Sequence, residues 1–129
     1  MDLEKFVEVG EFHQKLNDKT GSNLPLQKIY RSKGFPTHLI SKKHFNCLKH
    51  IDDIPEIIES PDYIGINPNE TGHTIELIKV FNKNILIGIK LNDDEGYLYI
   101  STMHEIQESK LNRRLHSGRI KIFNVDDSD

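Results

Sequence analysis

Long apolar runs are absent from this chain, and cysteine is nearly so. No hydrophobic stretch approaches the roughly twenty residues that a membrane helix needs. The acidic N-terminus MDLEKFVEVG lacks the apolar segment of a secretion signal. These absences predict a cytoplasmic protein that does not engage a membrane. The single cysteine, Cys47, excludes an internal disulfide and any zinc site built from several thiolates. It shares a helical stripe with Ile40, His44 and Leu48, where it reads as a small buried hydrophobe with no chemistry of its own.

Metal and phosphate signatures are missing too. The seven histidines contain no H-E-x-x-H and no H-x-H, so no metal and no cofactor is expected. His13, His73 and His116 fall in or beside surface segments and need no role. The eight glycines stand singly, read as element ends, and form no loop that could cradle a nucleoside triphosphate. No nucleophile elbow supports a Ser-His-Asp hydrolase.

What is present is one domain's worth of chain with a segregated charge. The 129 residues, 36% hydrophobic and 29% charged, suit a single globular domain over residues 1–125 with a short acidic tail at 126–129. The net charge is −3, yet residues 19–51 hold seven basic side chains and no acidic one, and residues 110–121 hold five more, again without an acid. Such runs are either solvated helix faces or one cationic face that a polyanion would meet.

Periodicity predicts an α+β domain. Residues 2–18 favour a helix, with 5–9 equally suited to a strand and Gly10 dividing the two; a short strand follows at 27–31. Thr37 is placed to cap a helix of about a dozen residues carrying His38, Lys42, Lys43 and His44. A six-residue interval turns about 240°, so His38 and His44 cannot share a face if that helix is continuous. Asp52 or Asp53 caps the next helix, with Pro55 in its first turn. Strands are expected at 63–66, 74–81, 85–91, 97–103 and 119–125, with a helix over 105–116. The three strands joined by the turns at 81–85 and 92–96 must form an antiparallel meander. The expected architecture is N-terminal helices packed on one face of a four- to five-stranded antiparallel sheet, with a late helix before the last strand.

The residue inventory suits metal-free phosphodiester cleavage. RNA carries its own nucleophile, the 2′-OH, so an enzyme needs a base, an acid for the leaving 5′-oxygen, and donors around the developing phosphorane charge. Histidine titrates near neutrality. His38 and His44, Lys79 and Lys90, Ser101 and Thr102, and Arg113 with Arg114 could supply the parts. Each has a plainer reading: His44 as a core histidine, His38 as a surface residue, Ser101 and Thr102 as ordinary strand residues, and the arginines as a solvated last helical turn. Lys79 shares its strand parity with Ile75, Leu77 and Phe81, an unusual place for a lysine if that face is core.

The runs Ile29-Tyr30-Arg31-Ser32, Lys42-Lys43-His44, Ile54-Pro55-Glu56-Ile57-Ile58-Glu59-Ser60-Pro61-Asp62-Tyr63-Ile64-Gly65, Glu76-Leu77-Ile78-Lys79 and Leu98-Tyr99-Ile100-Ser101-Thr102-Met103 resemble phage- and mobile-element-associated nuclease domains. Their superfamily groups barnase, EndoU, tRNA-cutting colicins and RelE-like toxins. The resemblance implies a helical lead-in before an antiparallel sheet, and metal-independent cleavage of RNA, tRNA among the substrates. Carried over by position, it implies catalytic roles for His38, His44, Lys79 and Thr102. Lys42, Lys43, Ser101, Arg113 and Arg114 become substrate contacts, and a neutralising immunity or antitoxin protein becomes a plausible partner. Two other classes stand beside this reading: a non-catalytic RNA-binding or immunity-partner domain, and a phage or mobile-element accessory protein that meets no nucleic acid.

Overall fold

A computed structural model describes residues 1–69 and 74–124. His73, the expected end of the last strand at 125 and the acidic tail lie outside the described residues. The fold is α+β, built on a seven-stranded sheet whose strands, in chain order, are β1 (Phe6–Glu11), β2 (Lys28–Ser32), β3 (Tyr63–Ile66), β4 (Thr74–Val80), β5 (Asn84–Leu91), β6 (Leu98–Ile106) and β7 (Ile120–Ile122). Their spatial order is β1-β2-β6-β5-β4-β3-β7. The meander β4-β5-β6 is antiparallel, as its short turns require.

The sheet is wider than its sequence suggests, and mixed. The N-terminal segment resolves to β1 followed by a helix over Gln14–Thr20, with Gly10 inside β1 rather than between the two, and β2 lies parallel to the start of β6. A parallel pair joins residues remote in sequence, Ile29 with Leu98 and Tyr30 with Tyr99. Local alternation carries no information about such a partner.

Strand alternation splits the side chains between two unlike faces. On one face Ile64, Ile75, Leu77, Ile85, Ile87, Ile89 and Leu98 form the main core with side chains from α1 (Gln14–Thr20), α2 (Phe35–Ser41), α3 (Phe45–Leu48) and α4 (Ile54–Glu59). The other face carries a smaller cluster, Ile78, Leu86, Ile106 and Ile120, closed by Leu111 of α5 (Glu108–Ser117). The helices therefore flank both faces rather than one, and α5 shields only part of its face. Six of the eight residues of β5, from Asn84 to Ile89, are buried between these layers, which is why Ile85-Leu86-Ile87 reads as an unbroken apolar run.

The helix expected from Thr37 is two helices. Gly34 is the N-cap and Pro36 sits in the first turn of α2. His44 N–H then donates to Leu39 O at 2.8 Å and Lys43 N–H to Ile40 O at 3.0 Å, with Lys43 at φ 60°. This paired reversal is a Schellman motif with lysine where glycine is usual, and it ends the helix before α3 begins. His38 and His44 are thus separated by a break. Asp53 precedes α4 but makes no side-chain cap; its carboxylate accepts from His50 Nδ1 at 2.9 Å.

Candidate active site on the open half of the sheet

Beyond the end of α5, the second face turns from apolar to polar along one row. Gly65, Glu76, Gly88 and Thr102 are successive cross-strand partners in β3, β4, β5 and β6. Glu76 is only 3% exposed. A buried carboxylate needs partners, and two arginines provide them. Arg119, just before β7, donates from Nη2 to Glu76 Oε1 at 3.0 Å, and Arg114 of α5 brings Nη1 to 3.8 Å of the same oxygen. The second distance is a charge contact rather than a hydrogen bond.

The arginines are not saturated by this carboxylate. Arg114 Nη1 and Arg119 Nε are buried with no hydrogen-bond partner among the described residues. Burial lowers the proton affinity of the Arg114 guanidinium, and the Arg119 charge lowers it further while Glu76 opposes both. Two cationic forks converge on one carboxylate with donors to spare, an arrangement suited to an additional anion with several acceptor oxygens.

The two glycines of the row make room. A Cβ on Gly65 would overlap the Arg119 carbonyl oxygen, so glycine lets the chain before β7 close over β3 beside Glu76. A Cβ on Gly88 would stand 2.9 Å from Thr102 Cγ2 and 3.2 Å from Ser101 Oγ. At this point the β5–β6 register shifts, Gly88 pairing with Thr102 and Ile89 with Ile100. Ser101 is the extra residue of a β-bulge, and its hydroxyl donates to Gly88 O at 3.2 Å. The bulge thereby brings the Ser101 hydroxyl and the Thr102 methyl group against the space above Gly88.

The neighbouring rows complete the face. Thr74, Lys90 and Tyr99 follow one another across β4, β5 and β6, and Tyr30 pairs with Tyr99. Tyr97 lies 5.8 Å from Tyr99, and Phe6 packs on Tyr97 at 5.4 Å and Tyr30 at 6.5 Å between ring centroids. On the other side His104, opposite Leu86, has its pKa lowered to about 4 by burial, then by the charges of His44, Arg114 and Lys110.

The structure brings together some of the residues expected from sequence and separates others. Thr102, Ser101 and Arg114 meet on this face. His44, at the start of α3, lies 6.2 Å from the His104 ring and so borders it. His38 is exposed and stacks on Phe35 at 6.2 Å. Lys42, Lys43 and Arg113 are exposed. Lys79 points to the opposite, helix-covered face, where Nζ donates to Ser60 O at 2.7 Å. The lysine is an anomaly of its strand, and its ammonium bonds the carbonyl at the end of α4, on the face of the sheet opposite Thr102. The sheet lysine that does share the site face is Lys90.

Glu76, Arg119 and His104 were not singled out in the sequence. Glu76 had a signal, an acid in the run TIELIKV on the parity of Ile78 rather than of Ile75 and Leu77. The isolated glycines had one as well, since Gly65 and Gly88 lie inside strands, not at their ends. Their register beside Glu76 is a tertiary fact. Among the described residues no group of three or more His, Cys, Asp and Glu side chains could hold a metal ion. No described helix is long and apolar enough to cross a membrane.

No curated protein and no solved structure matches the chain. A family model does, over residues 7–113. That span contains Glu76, Gly88, Lys90, Thr102 and His104 and ends just before Arg114. With most of the chain matched, it belongs to the family described as phage-Barnase-EndoU-ColicinE5/D-RelE like nuclease3.

Proposed function

We propose that the chain is a metal-independent endoribonuclease, toxin-like or phage-associated, that cleaves RNA by attack of the 2′-OH on the adjacent phosphate, releasing the 5′-oxygen and leaving a 2′,3′-cyclic phosphate. The observation that carries this reading is the pair of buried guanidinium donors left over around Glu76. A phosphodiester placed over Gly88 would take those donors on its non-bridging oxygens, with the Ser101 hydroxyl and Thr102 beside it. The phosphorane gains negative charge where the two cations already stand. Glu76, freed in part from Arg119 by the arriving phosphate, is the base for the 2′-OH proton. His104 is the acid for the 5′-oxygen: the bound phosphate supplies the negative neighbour that the free site lacks, which raises the proton affinity of its ring. His44 borders His104, and exposed Lys42, Lys43, His38 and Arg113 extend a cationic rim toward the rest of the RNA. An acidic neutralising protein would meet the same rim.

The test is cleavage of total RNA and of tRNA in EDTA, with the product ends examined. Cyclic phosphate ends are expected, with Glu76→Gln lowering kcat by about 10²–10⁴ and Arg119→Ala by about 10²–10³, while circular dichroism stays that of the parent. RNA that binds but stays intact at high protein concentration would leave a non-catalytic RNA-binding domain. Products with linear phosphate ends would remove the 2′-OH mechanism.

A further inference from the structure

A second concavity opens at the β3–β7 edge of the sheet, and it shares Gly65 and Arg119 with the carboxylate site. It encloses about 420 Å³, within the range of small-molecule sites. Ile66 and Pro68 give it an apolar wall, and Lys19, Arg119 and Lys121 line it, with no acidic side chain among the described residues that line it. Lys19 and Lys121 form no ion pair with any described residue. Two helices end here, α1 and α5, and carbonyls at a helix end repel anions. Several of those carbonyls are already taken: Asn17 O accepts from Ser22 N–H at 3.1 Å, Leu115 O from Gly118 N–H at 3.2 Å and Arg114 O from Ser117 Oγ at 3.1 Å. The groove therefore carries a cationic lining and meets the site at Arg119, which belongs to both.

We propose that this groove is the subsite for the nucleotide flanking the scissile phosphate of single-stranded RNA. Lys19 and Lys121 hold the flanking phosphodiester, and the Ile66–Pro68 wall receives the sugar and base. Arg119 belongs to both subsites, so occupation of the groove fixes the residue that steadies Glu76. The proposal rests on the ribonuclease reading above.

Its test is equilibrium binding of a 2′-O-methyl pentanucleotide and of the corresponding dinucleotide, to the parent and to Lys19→Ala combined with Lys121→Ala. Loss of the contact to the one flanking phosphate lowers the slope of log affinity against log salt by about 0.7 and weakens pentanucleotide binding by roughly tenfold at low salt. The loss on the dinucleotide, which lacks a flanking phosphate, is several times smaller. The double substitution to arginine restores binding, and an unchanged urea midpoint shows that the alanine variant is folded. Equal losses on the two ligands, or no loss on the pentanucleotide, would overturn the subsite. Groove-dependent binding without cleavage of the all-ribose pentanucleotide keeps the subsite and removes the ribonuclease reading. Cleavage with binding indifferent to both lysines does the reverse, and a parent that binds neither ligand refutes both.

Discussion

Burial holds the His104 imidazole neutral down to about pH 4, with His44, Arg114 and Lys110 adding to the effect. A histidine in an unfolded chain titrates near 6.5. Between those values the unfolded chain takes up a proton that the folded one refuses, so stability present above about pH 6.5 is lost as the pH falls toward 4. His104→Gln is expected to flatten the dependence of the urea midpoint on pH across that window; an unchanged slope would place the titrating group elsewhere. Lys79 makes the opposite kind of case. Lys79→Ala is expected to lower stability by about 1–2 kcal/mol through loss of the bond to Ser60 while leaving RNA cleavage near the parent level. Abolished turnover in a folded variant would return Lys79 to the mechanism. At this scale the sequence showed which residue was unusual but not what occupied it. An ammonium among isoleucines reads the same whether its partner is a phosphate or the carbonyl at the end of a neighbouring helix.

The strands of the meander, α4 and the late helix were legible as elements because each carries its own periodicity and stop signals. β3 is found at 63–66 as its alternation predicts. The late helix starts at Glu108, because β6 continues through Ile106. The break between α2 and α3 was hidden, since Lys43 gives no sign of a left-handed backbone. What positions the site belongs to contacts between elements, and Gly65 is the sharpest instance. Gly65→Ala would drive a methyl group into the Arg119 main chain. The expected cost is about 3 kcal/mol, at the upper end for overpacking, with a loss of cleavage larger than the loss of folded protein because Arg119 moves off Glu76. Urea denaturation and specific activity per folded molecule measure the two effects separately; a variant as stable and active as the parent would show that the closure is not needed.

Across the whole molecule, the sheet divides labour between its faces, one given to a core under four helices and the other shared between α5 and the polar row. Composition and alternation revealed a sheet with helices, yet could not reveal that the sheet was covered on both sides or joined by a parallel pair remote in sequence. Protection should follow this layering. Amides of β5, central and buried on both faces, are expected to exchange only with global unfolding. Those of β7, three residues long at the edge, should exchange through local opening at much lower free energy. Hydrogen exchange followed residue by residue would overturn this if β7 proved as protected as β5.

The order of the site residues along the chain carries a consequence for synthesis. Glu76 and the hydroxyls of β6 emerge from the ribosome before Arg114 and Arg119, and the clamp exists only after α5 has docked and β7 has joined β3. A nascent domain ending at β6 would hold an unclamped carboxylate and no phosphate site. If the chain is the ribonuclease proposed above, this order keeps it inactive toward the RNA of the machinery making it until its last strand is in place.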